Sequence, residues 1–263
     1  MESGLKGKRA LVTGAGSGIG RSIALALAAE GAWVAVNDVN EAGIQQTVES
    51  ILAAGGNAVA APFDISKLSV VRDRVDALVA SGGALDILVN NAALLVAHAP
   101  FLETDPDDWR REIDVVLFGT LNCTRAVLPA MVAAGRGRIV NIVSDAARVG
   151  QEREVTYSAA KGGVVSFTKS IAREVGPSGI NVNAVSPAAT NSPMRHSALK
   201  EIEAKIGAEK LAERELKVRR AYPLRRIGEP EDVAGAVVFL CSAGARHITG
   251  QVLSVNGGYS MVG

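Results

Sequence analysis

Tyr157-Ser158-Ala159-Ala160-Lys161 sets a phenol and an ammonium four residues apart. In a helix that spacing puts both side chains on one face. A free tyrosine has a pKa of about 10, too high for a base at neutral pH. A neighbouring ammonium stabilises the phenolate and lowers that value. Ser144 stands thirteen residues earlier. Its hydroxyl is suited to hydrogen-bond a substrate oxygen and to position it for proton transfer. The pair also reads as a surface stripe, with Ser144 capping a turn. What decides between the two is the rest of the chain.

Residues 8–20 read Lys-Arg-Ala-Leu-Val-Thr-Gly-Ala-Gly-Ser-Gly-Ile-Gly. Ala10 to Val12 form a short apolar strand. Gly14, Gly16, Gly18 and Gly20 make a turn, and an alanine- and leucine-rich helix follows at once. Such a turn is a phosphate cradle, because backbone N–H groups and the helix dipole both favour an anion there. The spacing is Gly14-x-x-x-Gly18-x-Gly20, with Ile19 where the commoner dinucleotide pattern has its third glycine. Asp38 ends the next apolar run, twenty residues after Gly18. A dinucleotide fold places an acid there on the adenosine ribose. An Asp at this position also suits the cap of a helix starting near Asn40. The glycine turn in front favours the ribose role. A carboxylate there repels a 2′-phosphate, and Val39 offers no basic partner for one. NAD is therefore expected over NADP.

The elements that position these groups alternate between strand and helix. Helices are expected near 18–30, 40–54, 67–80, 107–134, 155–176 and 230–242. Strands are expected at 32–37, 57–62, 85–90, 138–143, 180–185 and 251–255. The strands read as continuous apolar runs, as strands buried on both faces do. This alternation implies a Rossmann-type α/β fold, a doubly wound parallel sheet of about seven strands in a single domain. Ligands bind at the carboxyl edge of such a sheet. Gly14, Asp38, Asp64, Asn91, Ser144 and Ser186 all fall at or just past strand ends.

Bulk properties narrow the function class. The chain has 263 residues, 48% apolar and 21% charged, with a net charge of +1. That balance argues against nucleic-acid or polybasic membrane binding. The two cysteines, Cys123 and Cys241, show no disulfide or zinc spacing, and no metal site is expected. A strand begins within ten residues of the start, leaving no room for a signal peptide. No apolar run looks long enough to span a bilayer. A reducing cytoplasm is the expected location.

Together, Thr13-Gly14-x-x-x-Gly18-Ile19-Gly20, Asp38, Asp64, Asn90-Asn91-Ala92, Ser144 and Tyr157-x-x-x-Lys161 resemble the short-chain dehydrogenase/reductase family. The resemblance extends to Pro223-Leu224-x-Arg226-x-Gly228-x-Pro230-Glu231-Asp232 and Asn256-Gly257-Gly258. It implies one dinucleotide-binding and catalytic domain over 1–263, assembled as a homotetramer. Such a domain moves hydride between a nicotinamide cofactor and an alcohol or carbonyl. It implies Tyr157 as acid/base, Lys161 as the group that lowers its pKa and holds the nicotinamide ribose, and Ser144 as the residue orienting the substrate oxygen. Cofactor contacts implied in the same way are Gly14, Ser17, Gly18, Ile19, Gly20, Asp38, Asp64, Ile65, Asn91, Ala92, Pro187, Ala188, Thr190 and Ser192.

Three departures stand out. Ala93 and Ala188 replace the family's usual glycines, which is tolerable where φ stays negative. Val116 occupies the place of the family's catalytic Asn, which holds a water linking the lysine to solvent. Residues 190–222, polar and helical in character, are where the family varies its substrate lid. Arg148, Met194 and Arg195 are candidate substrate contacts. Leu216 to Gly228 carries basic residues and no acid, which reads as a solvated face or as a rim for an anionic substrate. Ser144 to Gly150 and Gly250 to Val255 resemble alicyclic 2-hydroxyacyl-CoA dehydrogenases. The expected activity is hydride transfer between NAD(H) and a secondary alcohol or ketone, with an alicyclic or acyl-CoA-linked hydroxy compound as the candidate substrate. The alternatives are a 3-oxoacyl-thioester reductase and a non-catalytic NAD-binding regulator.

Overall fold

The computed structural model describes residues 3–96 and 98–262. Seven parallel strands form one sheet in the order β3-β2-β1-β4-β5-β6-β7. They are β1 (Arg9–Val12), β2 (Trp33–Val36), β3 (Asn57–Ala60), β4 (Ile87–Asn90), β5 (Gly137–Ile142), β6 (Ile180–Pro187) and β7 (Val252–Val255). The order reverses between β1 and β4, which register Leu11 against Leu88. At such a reversal the loops leave toward opposite faces and open a crevice.

Helices cover both faces, as parallel strands require. On one face lie α1 (Gly18–Ala29), α2 (Glu41–Ala53) and α10 (Pro230–Cys241). Their Ile23, Leu27, Ile44, Val237 and Leu240 pack on Val12, Val34 and Val89. On the other face lie α3 (Leu68–Ala80), α5 (Gly119–Ala134) and α7 (Val155–Val175). Their Val71, Val75, Cys123, Val127 and Ala172 pack on Leu11, Leu88 and Ile139. The single-domain doubly wound α/β fold read from the strand and helix alternation is the observed one. Both cysteines are free and buried. Among the described residues no group of His, Cys, Asp and Glu is placed to hold a metal.

The helix expected around 107–134 is built in three pieces. They are α4 (Pro106–Ile113), a π-turn (Asp114–Phe118) and α5. The Thr120 hydroxyl donates to the Val116 carbonyl at 2.8 Å, competing with the backbone ladder. Gly119 meets Ile65 closely: a Cβ there would lie 2.4 Å from Ile65 Cδ1. By length and composition Pro106–Ala134 is long and apolar enough to cross a bilayer, contrary to the sequence expectation. Its apolar residues point two ways. Cys123, Val127 and Met131 enter the core, while Phe118 and Val132 are exposed. That double use raises the hydropathy of a helix packed along the sheet.

The polar stretch after β6 forms α8 (Pro193–Ile206) and α9 (Ala208–Ala221), separated by Gly207 at φ 82°. A short α6 (Ala146–Val149), not anticipated, follows β5. Ala93 and Ala188 are not among the positive-φ residues, so their methyl groups bring no backbone strain.

Candidate active site at the carboxyl edge of the sheet

The glycine turn is shaped by contacts that exclude a side chain. A Cβ on Gly14 would lie 2.7 Å from the Ala92 backbone, and one on Gly20 would lie 2.1 Å from the Gly14 carbonyl. Gly14 and Gly18 also take φ of 63° and 52°, a region costly for other residues. The turn feeds α1, whose N-cap Ser17 makes no side-chain capping bond and whose first turn carries no acid. The helix N-terminus therefore keeps its N–H groups for an external anion. That arrangement fits a dinucleotide pyrophosphate.

Asp38 lies beside this turn. Its Oδ2 accepts the Gly16 N–H at 3.0 Å, and its Oδ1 accepts the Val39 and Asn40 N–H groups at 2.8 and 3.0 Å. Three backbone donors fix the carboxylate at the rim of the crevice. The cap of α2 is supplied by Asn40, whose side chain accepts the Gly43 N–H. Capping is thus done by a different residue, and Asp38 faces the glycine turn.

The crevice floor is a network of buried amides and hydroxyls. Asn91 Nδ2 donates to the Thr13 and Gly14 carbonyls at 2.9 and 3.1 Å. The Thr13 hydroxyl accepts the Asn91 and Ala92 N–H groups. Asn37 donates to the Ala61 and Phe63 carbonyls, which holds the strand end before Asp64 and Ile65. Asn122 donates to the Ile65 carbonyl at 2.9 Å. Thr13 opens the glycine motif, whereas the roles of Asn37 and Asn122 carry no sequence signal, since each is a single polar residue outside any motif.

On the far side of the crevice, β6 ends at Pro187, and Ala188 to Ser192 lead into α8. Thr190 bridges Gly228, and Ser192 caps α8 by accepting the Arg195 N–H at 3.3 Å. A Cβ on Gly18 would lie 3.3 Å from Pro193 and 3.5 Å from Ser192. The start of α8 therefore leans over the glycine turn. Thr190 and Ser192 come into the same crevice as Gly18, although more than 170 residues separate them in the chain.

Ser144, Tyr157 and Lys161 meet beyond the ends of β4 and β5. Ser144 follows β5, and Asp145 anchors that end. The buried Asp145 carboxylate accepts from Ser186 at 2.8 Å, Asn256 at 2.6 Å and Ser260 at 2.7 Å. The Ser144 hydroxyl accepts the Ala146 N–H at 3.2 Å and lies close enough to the Tyr157 phenol to lower its pKa. Lys161 is buried, and its Nζ donates to the Ile142 carbonyl at 2.6 Å. That Nζ lies 5.7 Å from the Tyr157 ring centroid. Burial pushes the Lys161 pKa down to about 8. Burial, with the nearby charges of Glu154 and Glu112, pushes the phenol well above its ordinary value, and Ser144 only partly offsets this. Without a cofactor, then, the phenol moves up rather than down. The three side chains are placed to hold an oxygen and exchange a proton with it.

Three basic groups of the substrate region are committed within the chain. Arg148 donates to Ser254 at 2.5 Å and to the Val262 carbonyl at 2.6 Å. Arg195 pairs with Glu215, and Arg226 makes a two-pronged pair with Asp232. Met194 is exposed on α8. Three of the cations expected as an anion-binding rim thus already have internal partners.

Comparison with known proteins agrees with this architecture. The family model described as Enoyl-(Acyl carrier protein) reductase matches residues 14–260. A cis-4-hydroxycyclohexanecarboxylate dehydrogenase of Sinomonas cyclohexanicum is 38% identical over 253 residues, covering 96% of each chain. A 3-oxoacyl-[acyl-carrier-protein] reductase FabG of Staphylococcus epidermidis is 37% identical over 255 residues, covering 97% of this chain and 99% of its own. A gluconate 5-dehydrogenase from Burkholderia cenocepacia, solved with NADP and tartrate, is 33% identical with a TM-score of 0.85, covering 97% of this chain and 95% of its own. With nearly its whole length matched, the chain belongs to the short-chain dehydrogenase/reductase family, oxidoreductases that move hydride between a nicotinamide cofactor and a secondary alcohol or ketone.

Proposed function

We propose that this enzyme oxidises an alicyclic secondary alcohol with NAD, using Ser144, Tyr157 and Lys161. The observation that carries the reading is the meeting of these three side chains at the sheet edge, opposite the glycine turn. The cyclohexane-ring substrate of the Sinomonas relative supports the alicyclic class. Three backbone bonds to Asp38 and the exposed Val39 beside it support NAD over NADP.

The bound nicotinamide supplies a hydride-accepting carbon and a positive charge. Ser144 donates to the substrate oxygen and holds it near the phenol. Tyr157 takes the hydroxyl proton as phenolate. Two positive charges oppose the burial that raises its pKa: that of the cofactor and that of Lys161. A Lys161 pKa of about 8 leaves it mostly ammonium at neutral pH. Lys161 also holds the nicotinamide ribose. Gly14, Ser17, Gly18, Ile19 and Gly20 face the pyrophosphate, Asp38 the adenosine ribose, and Asp64 and Ile65 the adenine. Asn91 and Ala92 line the crevice floor, and Pro187, Ala188, Thr190 and Ser192 the nicotinamide side.

Residues 190–222 serve as the substrate lid of a domain spanning 1–263. Met194 and Arg195 sit on its first helix, while Arg148 holds Ser254 and the Val262 carbonyl. The exposed apolar Phe118, Val132 and Val155 support burial between subunits of a homotetramer. The reading places the enzyme in the cytoplasm.

The test is absorbance at the reduced-nicotinamide band over a panel of cyclohexanols, hydroxycyclohexanecarboxylates and 3-hydroxyacyl thioesters, with NAD and NADP. Turnover of ring alcohols with NAD supports the reading. Turnover of thioesters alone favours the reductase alternative. Tight NAD binding with no turnover favours a non-catalytic regulator, the reading that Val116 suggests.

A further inference from the structure

Asp145 follows Ser144 directly and is buried, at 3% exposure. A carboxylate at that depth is costly unless donors engage it. Its partners are neutral and come from two directions. Oδ1 accepts the Ser186 hydroxyl of β6 at 2.8 Å. Oδ2 accepts Asn256 Nδ2 at 2.6 Å and the Ser260 hydroxyl at 2.7 Å. The Asp145 backbone N–H donates to the Pro187 carbonyl at 2.9 Å. One residue thus joins the turn that carries Ser144 to the end of β6 and to the segment that follows β7.

That segment, residues 256–260, is folded on itself by Asn256. Its Nδ2 also donates to the Ser260 carbonyl at 2.8 Å, and its Oδ1 accepts the Gly258 N–H at 3.0 Å. The segment lies against the residues that leave α9. A Cβ on Gly257 would fall 3.2 Å from the Tyr222 ring, and one on Gly258 would fall 2.7 Å from Pro223. The Gly257 carbonyl accepts the Leu224 N–H at 3.2 Å, and Tyr259 stacks on Tyr222 at 5.0 Å. Tyr222 is itself buried, and its hydroxyl accepts the Ala189 N–H at 3.1 Å. Ala189 stands just before Thr190, on the strand-to-lid connection that faces the glycine turn. Contacts therefore run without a gap from the Ser144 turn through Asp145, the segment and Tyr222 to Ala189.

We propose that residues 256–260 are a clasp that sets the spacing between Ser144 and residues 188–190, with Asp145 and Tyr222 as its two positioning residues. The inference rests on the reading that Ser144 orients the substrate oxygen while Ala188 and Thr190 line the nicotinamide side. Hydride transfer requires those two sides of the site to be held at a fixed separation, and a misplacement of about 1 Å costs about a hundredfold in rate. Asp145 and Tyr222 act on that separation through the backbone beside them. Loss of the Asp145 carboxylate leaves three donors without an acceptor and frees the Ser144 turn from the segment. Loss of the Tyr222 hydroxyl leaves the Ala189 N–H unpaired and frees the base of the lid from the same segment. Either cut opens one continuous chain of contacts, so the two losses do not multiply.

The experiment compares the parent with Asp145→Ala, Asp145→Asn, Tyr222→Phe, the Asp145→Ala/Tyr222→Phe double variant and Ser144→Ala. Cyclohexanol and NAD serve as probes, with initial rates for kcat and KM and calorimetry for NAD affinity. Asp145→Ala should lower kcat tenfold or more and raise KM for cyclohexanol, with NAD affinity within threefold of the parent. Asp145→Asn should recover kcat to within threefold, because its amide oxygen can face Asn256 and Ser260 while its NH₂ faces the Ser186 hydroxyl. Tyr222→Phe should lower kcat/KM about tenfold, and the double variant should lose no more than threefold beyond the worse single. Losses that multiply, or an unimpaired kcat/KM in either single, overturn the clasp. Where Asp145→Ala does not fold, Ser260→Ala removes one donor at a half-buried position; it should show the same loss in weaker form and Ser260→Thr should restore it, and an unimpaired Ser260→Ala overturns the clasp. A second measurement needs no turnover. Trypsin should cut the lid at Lys205 or Lys210, both exposed, faster in Tyr222→Phe and Ser260→Ala than in the parent, and equal cleavage also overturns the clasp. If Ser144→Ala turns over like the parent, the orienting reading itself falls. If only the clasp fails, Ser144→Ala is inactive and Asp145→Ala is not impaired.

Discussion

Asp38→Asn tests cofactor choice with the least change of shape. The parent carboxylate is held by three backbone N–H groups at 2.8–3.0 Å. So fixed, it cannot swing away from a 2′-phosphate on the adenosine ribose. Two unit charges about 4 Å apart repel by about 1 kcal/mol in water and about 4 kcal/mol near a protein surface. At about 1.4 kcal/mol per tenfold, that is a preference for NAD of roughly tenfold to thousandfold. Asn removes the charge, so the ratio of kcat/KM for NAD over NADP should fall by a large part of that factor. The amide also turns an NH₂ toward one of the three backbone donors. One backbone N–H then loses its acceptor, which costs about 1–3 kcal/mol. The variant should therefore melt a few degrees lower while still binding NAD. Initial rates with each cofactor and a melting curve measure both effects. Equal efficiency with NADP in the parent, or an unmoved ratio in Asp38→Asn, refutes the reasoning.

Four further outcomes are expected. Tyr157→Phe should lower kcat by 10²-fold or more, the scale of general acid–base catalysis, with an unchanged melting temperature. Val116→Asn should change kcat less than tenfold, a barrier shift under about 1.4 kcal/mol, with solvent isotope effects measured alongside; a hundredfold gain would mean that the parent site is crippled. Gly20→Ala should abolish NAD binding in calorimetry, since its Cβ would fall 2.1 Å from the Gly14 carbonyl. Lys161 is held at about 8 against 10.5 when unfolded, so its folded form binds fewer protons between those values and its penalty is relieved as pH rises. The melting-temperature difference between Lys161→Met and the parent should therefore move in the parent's favour from pH 8 to 10.5, and a constant difference refutes the burial of a titrating ammonium.

The fold was legible because both period and punctuation agree in this chain. Ala10 to Val12, Val34 to Val36 and Leu88 to Val89 are apolar on successive positions, which only a strand covered on both faces tolerates. Gly55 and Gly135 stop α2 and α5 where the backbone turns left-handed. The crevice was legible for the same reason, since Gly14, Gly18 and Asp38 are fixed by local backbone geometry. The long helix was only half legible. Its apolar pattern runs straight through the π-turn, because the insertion depends on Thr120 reaching back to Val116 and on Gly119 meeting Ile65. Neither contact leaves a periodic mark. The fate of the basic residues was not legible either. Arg148 reaches Ser254 and Val262, more than 100 residues away, and no spacing rule links partners so distant.

Val116 and Glu112 show how the same fold distributes polarity differently over one helix. At Val116 the helix is apolar toward the site, so no side chain there can hold a water. One turn earlier the helix buries a carboxylate where an apolar side chain would pack without desolvation cost. A π-turn lies directly after α4 and rotates the following residues relative to a regular helix. Glu112 lines the same small cavity as Glu154, while Val116 is fully buried within the π-turn. Burial of Lys161 lowers its pKa, and burial, with the charges of Glu154 and Glu112, raises that of the phenol. The lysine shift leads toward neutral pH and the phenol shift leads away from it, so the phenol needs a positive charge beside it before it can ionise near neutrality. The cofactor brings that charge. On the proposed function, cofactor binding and proton transfer are therefore coupled through the electrostatics of the phenol's surroundings.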